Sequence, residues 1–499
     1  MGQKAEGWVN SSQTTLHFRC AHYRGEHALE CFNRFRCNAA KMTIRNPIPL
    51  AMICSLAVTG CAPTVELAVP YNVSSDDWSV NAADPAVLVD VPASLGIALG
   101  NPQLDRLIQQ ARLRNTQVGI ARARVRQARG LLSSARGAMV PVVMGSAGIS
   151  QSRNSNAGNP FDFSESFVGV DVSFDVDVFG EARAERRAAG HRVQASERVR
   201  DAVGLAVEAD VARAFVRHAA LTERISILDH NTSQAVDLER IIAARVRGGD
   251  ATRVDLGLQT IQVRQLQAER LRLVQAREAT RTALAVLVGE EAPSFATVAE
   301  PLAAFVLPEY AVPQPAILLT RRPDILSAEA TLAAADGDVA QARAAFLPRI
   351  NLSARTLLQT ISLTGPLSSG SSIGLDILGP IFNRGRLRGN LAVNAARQLE
   401  AAELYRESIL IALAEVEDAL SAGVNAGGRE LLISQIVDEA QITARLARLQ
   451  YIEGEADLQQ VLDAEQLLSA AEDAAAIARQ DRLEANIDLF RAIGGPLTR

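Results

Sequence analysis

Residues 342–348 read Ala-Arg-Ala-Ala-Phe-Leu-Pro, and residues 135–141 read Ala-Arg-Gly-Ala-Met-Val-Pro. Each segment closes an Ala/Arg-rich run with a proline, and a helix usually ends at or before the residue that precedes proline. Each is followed by alternating sequence that is typical of β-strands. The chain therefore contains an internal duplication, and such a repeat governs the fold.

The correspondence continues beyond these segments. Residues 168–172 (Val-Gly-Val-Asp-Val) match 373–377 (Ile-Gly-Leu-Asp-Ile), and the Gly-Asp-Ala at 249–251 matches the Gly-Glu-Ala at 454–456. The repeated unit is a helix, a β-hairpin, a very long helix, a short break and a second helix. We predict one repeat over residues 101–292 and another over 316–495, joined by a proline-containing connector at 293–315.

Composition restricts the class of protein. The formal net charge is −5, so no basic excess indicates a nucleic-acid partner. Aromatic residues make up only 4 % of the chain, and an alanine- and leucine-rich sequence favours close helix–helix packing. All five cysteines precede residue 62, which excludes a disulfide framework or a thiolate metal site in the remainder.

Residues 42–60 have the pattern of a secretory signal peptide: a basic start, a short apolar run and small residues before a cleavage site. They end in Val-Thr-Gly before Cys61, which resembles the lipobox of bacterial lipoproteins. We predict that Cys61 is the lipid-modified mature N-terminus; the alternative is an ordinary signal with an incidental cysteine.

Our hypothesis is that translation starts at Met42, so that residues 1–41 are a non-native extension. Residues 61–100 are predicted to form an extended tether.

Valines and aspartates alternate over residues 168–178, which places them on opposite faces of a strand. A half-buried strand of a soluble protein has the same alternation. The length also fits a tilted membrane strand of roughly 9–11 residues, with its apolar face outward and its polar face inward. On this interpretation Asp171, Asp175 and Asp177 face the lumen of a barrel.

Partner strands complete two hairpins, at 142–152 with 168–178 and at 349–360 with 371–382. The intervening turns are predicted at 154–160 and 365–370. Four strands are too few to close a barrel, and lipid does not tolerate an open sheet edge. Several chains must therefore share one barrel if these strands cross a membrane.

Two proline-free segments, 181–246 and 384–451, have helical periodicity over an unusual length. At 1.5 Å per residue each helix would be about 100 Å long. Such a length indicates a coiled coil or a repeat architecture rather than a compact domain. The breaks at 247–250 and 453–455 are predicted to reverse the chain into a returning helix.

Motifs for catalysis are absent from the sequence: it has no His-Glu-x-x-His, no Gly-x-Ser-x-Gly and no phosphate-binding loop. Beyond Cys61 the only histidines are His191, His218 and His230, which are too dispersed to predict a metal site. We therefore predict no enzyme activity, no metal and no cofactor. The arginine pairs at 186–187 and 321–322 are interpreted as solvated or capping charges.

Five segments occur in the order found in the TolC-like outer-membrane factors, and the chain resembles the lipoprotein branch of that family, which serves multidrug efflux systems. They are Arg-Arg-Pro-Asp-Ile (321–325), Ala-Arg-Ala-Ala-Phe-Leu-Pro (342–348), Pro-Ile-Phe-Asn-Arg-Gly-Arg-Leu (380–387), Glu-Val-Glu-Asp-Ala-Leu (415–420) and Val-Leu-Asp-Ala-Glu (461–465).

The resemblance implies a mainly α fold with membrane β-strands. In that family a homotrimer shares a twelve-stranded outer-membrane barrel, which continues into a periplasmic tube of coiled helices. The resemblance also implies an exit duct that meets a periplasmic adaptor (membrane fusion) protein and an inner-membrane efflux pump. The alternative is a soluble periplasmic coiled-coil adaptor or scaffold, but two repeats that each carry a strand pair favour the duct.

The family's tunnel closes at its periplasmic tip, near the helix–helix turns. The resemblance places this gate at Tyr451, after the second long helix, at Asp463 in its return helix, and at Asp255 beside the matching turn of the first repeat. Residues Ala456 and Gln460 depart from the charged residues that some relatives have there. The alternative is that Tyr451, Asp463 and Asp255 are solvated residues on exposed helix ends.

Overall fold

The computed structural model describes residues 78–79, 93–156, 159–298, 300–308, 312–360 and 365–495. The predicted extension, the signal peptide, Cys61 and most of the tether lie outside these ranges.

Helices dominate the described residues, and two strand pairs interrupt them. The helices are α1 Leu95–Ala98, α2 Pro102–Arg114, α3 Thr116–Gly137, α4 Glu181–Gly248, α5 Arg253–Val288, α6 Pro315–Arg321, α7 Pro323–Ala344, α8 Arg384–Glu453 and α9 Leu458–Ala492. The strands are β1 Val142–Asn156, β2 Asn159–Val176, β3 Arg349–Thr360 and β4 Ser368–Leu378. The elements from α2 to α5 recur in the same order from α6 to α9, as the duplication predicts.

The two long helices have 68 and 70 residues, so each extends about 100 Å. Each runs two residues past its predicted end and stops at a glycine, Gly249 after α4 and Gly454 after α8. These glycines have φ angles of 89° and 79°, in the left-handed region that favours glycine and ends a helix. The chain then returns as α5 and α9.

A single antiparallel sheet contains the strands in the order β1-β2-β3-β4. The prediction for β2 was nine residues short at its start, because Asn159 and Pro160 had been interpreted as turn residues. It also ran two residues too far, since β2 ends at Val176. The predicted strand 371–382 is shifted similarly, since β4 occupies Ser368–Leu378.

The helices α3, α4, α7 and α8 lie side by side, with α4 between α3 and α7, and α7 between α4 and α8. Return helix α5 packs on α4, and α9 packs on both α8 and α4. Small residues allow close approach within this layer: a Cβ added to Gly337 in α7 would lie 2.8 Å from the Cβ of Ala188 in α4. An alanine-rich sequence therefore suits this helix layer.

A helix break occurs at the same place in both repeats. Asn115 separates α2 from α3, and its amide donates to the carbonyl oxygen of Leu287, 2.7 Å away, near the end of α5. Arg322 separates α6 from α7, and its guanidinium donates to the carbonyl oxygen of Ala492, 3.0 Å away, at the end of α9. Each break is thus tied to the end of its own repeat's return helix.

Of the two interpretations given for Arg322, a solvated charge is wrong, whereas a capping charge agrees with its hydrogen bond to the carbonyl oxygen of Ala492 at the end of α9. Its side chain is buried, and besides the carbonyl of Ala492 it donates to Asp324 and Glu415, each at 2.6 Å. Proline at position 323 fits the first turn of α7, where its missing N–H is not needed. The arginine therefore links α7, α8 and α9 at the break.

Candidate functional site

One face of the sheet is polar. The register pairs Asp171 with Arg355 and Asp175 with Asn351. Arg355 Nε lies 3.1 Å from the Asp171 carboxylate, which also accepts from the hydroxyl of Ser146 at 2.9 Å. Asn351 donates to Asp175 at 2.7 Å. Cross-strand ion pairs and hydrogen bonds therefore join β1, β2 and β3 on this face.

The opposite face is apolar and exposed in the protomer. Its residues on β2 include Val168 and Val170, and on β4 it carries Ile373, Leu375 and Ile377. The side chains of these three β4 residues are between 63 % and 84 % exposed. A contiguous apolar surface of this kind marks contact with a membrane or another protein.

Asp177 does not belong to the polar face. It follows the last residue of β2, and its carboxylate accepts from the backbone N–H groups of Ala182 and Arg183 at 3.3 and 2.9 Å. The guanidinium of Arg183 lies 3.1 Å from the same carboxylate. The prediction that Asp177 lies on the strand with the other aspartates is wrong, because the period-2 pattern runs past Val176, where pairing stops.

At the far end of the long helices, Asp255 caps α5. Its carboxylate accepts from the backbone N–H of Thr252 at 2.8 Å, and its own N–H donates to the Thr252 hydroxyl at 3.2 Å. This reciprocal capping box satisfies two donors at the start of the helix. In the second repeat, Asp457 caps α9 by accepting from the N–H of Gln460 at 2.9 Å.

Tyr451 lies in a small core where α4, α8 and α9 meet near the tip. Its side chain is buried against neighbours that include Ile242, Leu458 and Val461. The guanidinium of Arg245, on α4, lies 4.6 Å from the ring centroid, within the range of a cation–π contact. Arg245 also donates to the carbonyl oxygens of Tyr451 and Ile452 at 3.3 and 3.1 Å, and so ties the end of α8 to α4.

Asp463 is exposed on α9 and accepts from the side chain of Gln459 at 2.8 Å. Within the described protomer, Tyr451, Asp255 and Asp463 thus have separate partners, and no hydrogen bond joins Tyr451 to Asp255. A contact between them across protomers stays a prediction.

Sequence reasoning missed two charged contacts beside this tip. Arg448 on α8 donates to the carbonyl oxygen of Gln234 on α4 at 3.0 Å and lies 3.5 Å from the carboxylate of Glu465 on α9. Burial raises the pKa of Glu465, and the charge of Arg448 partly offsets that shift. The other missed contact is Arg245 on Tyr451. Both depend on the relative register of separate helices, for which the sequence has no local signal.

No group of three His, Cys, Asp or Glu side chains suited to hold a metal ion occurs in the described ranges. None of the helices within those ranges combines the length and apolar character that a membrane-crossing helix needs.

The sequence profile of the family described as outer membrane efflux protein matches residues 107–290 and 315–495, which is most of the chain. The chain belongs to this outer membrane efflux protein family.

Individual proteins agree with this assignment. The chain is 35 % identical over 422 residues to the pyoverdine export outer membrane protein OpmQ of Pseudomonas aeruginosa, covering 80 % of this chain and 86 % of that protein. It is 29 % identical over 402 residues to the solvent efflux pump outer membrane protein SrpC of Pseudomonas putida, covering 79 % and 86 %. The open-state crystal structure of the Neisseria gonorrhoeae MtrE outer membrane channel superposes with a TM-score of 0.79 at 26 % identity, covering 88 % of this chain and 98 % of that one.

These comparisons confirm the predicted duct and exclude the soluble adaptor. The chain is an outer-membrane efflux channel whose helices extend into the periplasm, and it acts as a passive conduit rather than as an enzyme. Members of the family are trimeric in solved structures and serve tripartite efflux systems.

Proposed function

We propose that three copies of this chain form one closed channel with a twelve-stranded barrel. The observation that carries this proposal is the open sheet: in the described residues β1 and β4 are its two edges. An unpaired edge is not tolerated in lipid, so β4 of one protomer pairs with β1 of the next. Three sheets of four strands then close the ring.

The helix layer supports the same head-to-tail closure. Within a protomer the order is α3, α4, α7, α8, so the first repeat meets the second where α4 packs on α7. The two repeats have the same element order. The contact of α8 in one protomer with α3 in the next is therefore equivalent to the contact of α4 with α7 within a protomer. Repeated with a rotation of one third of a turn, such a heterologous contact generates a closed ring of three protomers.

Native mass spectrometry of the detergent-extracted full chain is expected to give a mass of three protomers. A monomer or a dimer as the main species would contradict the shared barrel.

We place this channel at the outer end of a tripartite assembly, where it meets a periplasmic adaptor and an inner-membrane pump. Related channels are named for the export of pyoverdine and of solvents. The pump rather than the duct therefore selects the cargo.

Expression of this chain with its cognate adaptor and pump, in a host that lacks its own exit duct, is expected to restore export. Restoration by the pump and adaptor without this chain would refute the assignment.

The signal-like segment before Cys61 supports a lipid anchor. We expect mass spectrometry of the native protein to find an N-terminal peptide that begins at Cys61 and carries acyl chains. An unmodified N-terminus upstream of Cys61 would exclude this anchor.

Because the barrel itself holds the protein in the membrane, Cys61→Ala is expected to impair sorting or assembly more than membrane retention, provided that another signal cleavage site is used.

We propose a periplasmic gate at Tyr451, Asp255 and Asp463, while Asp171 and Asp175 face the lumen of the barrel. A tyrosine hydroxyl that donates to a carboxylate of a neighbouring protomer forms a charge-assisted bond, which is stronger than a neutral one. Three copies of Asp463 around the axis would attract cations and narrow the passage. The burial of Tyr451 and the contact of its ring with Arg245 support a fixed position for the hydroxyl.

The double variant Tyr451→Phe with Asp255→Ala is expected to raise single-channel conductance in a planar bilayer. It removes both the donor and the acceptor of the proposed hydrogen bond between protomers. The ring of phenylalanine still fills the small core, and although Asp255→Ala removes one half of the capping box of α5, the Thr252 hydroxyl remains, so trimer stability should change little. Asp250→Ala, an exposed aspartate at the same turn, is the control. Unchanged conductance in a folded double variant would show that the gate lies elsewhere. Asp463→Ala is then the next variant to measure.

A further inference from the structure

A cavity of about 380 Å³ lies where the two helix breaks approach α4. Arg112 on α2 and Val118 on α3 form one wall, and Arg321 and Leu326, from the α6–α7 segment, form another. Its floor includes Leu205 of α4. The volume falls within the range of about 300–1,000 Å³ that is typical of small-molecule sites.

The cavity has an excess of positive charge. Five of its lining residues are arginines and two are acidic. The arginines are Arg112, Arg122, Arg198, Arg200 and Arg321, and the acidic residues are Asp201 and Glu208. The lining therefore carries three uncompensated positive charges.

Both carboxylates are already engaged. Glu208 is buried and accepts from the backbone N–H of Leu95 at 2.7 Å and from Arg112 at 2.5 Å. Asp201 accepts two hydrogen bonds from Arg200, at 2.6 and 2.9 Å, through the same oxygen. These two pairs account for the negative charge of the lining.

The three other arginines have no carboxylate within hydrogen-bond distance in the described part of the chain. Among the described residues, Arg122 donates to two main-chain carbonyl oxygens, that of Arg112 at 2.7 Å and that of Leu113 at 3.4 Å. Arg198 lies 3.9 Å from Asp201, beyond hydrogen-bond distance. Arg321 donates from Nη2 to the carbonyl oxygen of Gly495 at 3.3 Å.

The Nε atom of Arg321 is buried and has no hydrogen-bond partner among the described residues. Because Nε is enclosed by the protein, an anion in the cavity would be bound by the terminal nitrogens of this guanidinium. Since a guanidinium presents its donors as a planar fork, phosphate and carboxylate groups match it best.

A neighbouring cavity provides a comparison. It has a volume of about 140 Å³ and shares Leu205, Pro323 and Gly494 with the larger one. Its two arginines, at positions 322 and 491, face two carboxylates, at positions 324 and 415, so its charge is balanced. Of these two neighbouring cavities, the larger one therefore carries the positive excess.

We infer that the larger cavity binds a small organic anion. Its phosphate or carboxylate group lies among the guanidinium groups of Arg122, Arg198 and Arg321, and its apolar part lies on Val118, Leu205 and Leu326. Such a ligand joins the helix breaks of both repeats across α4. The inference does not depend on the proposed partners or on the gate.

The test is isothermal titration of the detergent-purified full chain with phenyl phosphate. We expect saturable binding of one molecule per chain. Inorganic phosphate should bind more weakly, because it lacks the apolar group, and benzyl alcohol should not bind, because it lacks the charge. Arg321→Gln and Arg198→Gln are each expected to weaken phenyl phosphate binding by about tenfold, since a hydrogen bond between charged groups is lost.

Arg126→Gln is the matched control, because Arg126 is exposed on α3 one turn beyond Arg122 and does not line the cavity. This variant should bind phenyl phosphate as the parent chain does. Absence of saturable binding, an equal loss in Arg126→Gln, or equal binding of benzyl alcohol would each overturn the inference. If Arg321→Gln fails to fold, the exposed Arg198→Gln and Arg122→Gln still decide the outcome.

Discussion

Val172→Lys is expected to prevent assembly of the channel in the outer membrane. Val172 lies in β2, where the register places it opposite Val143 of β1 and Ala354 of β3, on the apolar face of the sheet. A lysine on the lipid face of a membrane strand costs roughly 2–4 kcal/mol near the bilayer midplane. A trimer bears this cost three times, and we expect the trimer band to be lost on gel electrophoresis of unheated samples.

Ser173→Lys is the matched control for this variant. It introduces the same side chain one residue further along β2, on the polar face, where Ser173 pairs with Ser353. This variant should assemble and should change only conductance. The opposite ranking of the two variants would show that the faces are exchanged, because a shift of one residue moves every side chain to the other face.

The structure also changes the expectation for Asp171→Lys. From the sequence alone, a lysine at this lumen-facing position should be tolerated. Arg355 lies directly across the strand pair, so the lysine would meet a like charge, which is destabilising. Asp171→Asn is the milder variant with which to change the charge of the lumen.

Arg322→Met is expected to lower the free energy of unfolding by roughly 3–5 kcal/mol, the usual cost of removing one partner from a buried ionic network. Only 6 % of Arg322 is exposed. Its loss removes one of the two arginines that pair with Glu415 on α8, the other being Arg491 of α9 at 3.8 Å, and leaves the carbonyl oxygen of Ala492 without that donor. Thermal unfolding in detergent, followed by circular dichroism, is the measurement.

Arg388→Met, on the exposed surface of α8, should leave the unfolding temperature nearly unchanged. Arg322→Lys should lie between the parent chain and Arg322→Met, because lysine keeps the charge but lacks the planar fork that reaches several acceptors. Equal stability of Arg322→Met and the parent chain would show that the network contributes little.

Local sequence patterns are sufficient to predict the architecture of this protein. The proline-terminated repeats at 135–141 and 342–348, the alternation of valine with aspartate and the proline-free helical segments predict two copies of one unit, with element types and order that the structure has. These signals are local, since periodicity and chain breakers act within a few residues of the chain. The resemblance in five ordered segments then identified the outer-membrane duct, and the comparisons confirmed it.

Which side chains contact each other depends on how the helices and strands pack, and the sequence patterns do not predict it. The burial of Arg322, the contact of Arg245 with Tyr451 and the pairing of Arg448 with Glu465 join residues on different helices, and their distances depend on how those helices are aligned. Likewise, the register of β2 and β3 places Arg355 opposite Asp171. Asp177 lies outside the sheet because β2 ends at Val176. The reason is physical: local patterns specify which face of an element is apolar, but the packing of whole elements sets which charges come within hydrogen-bond distance.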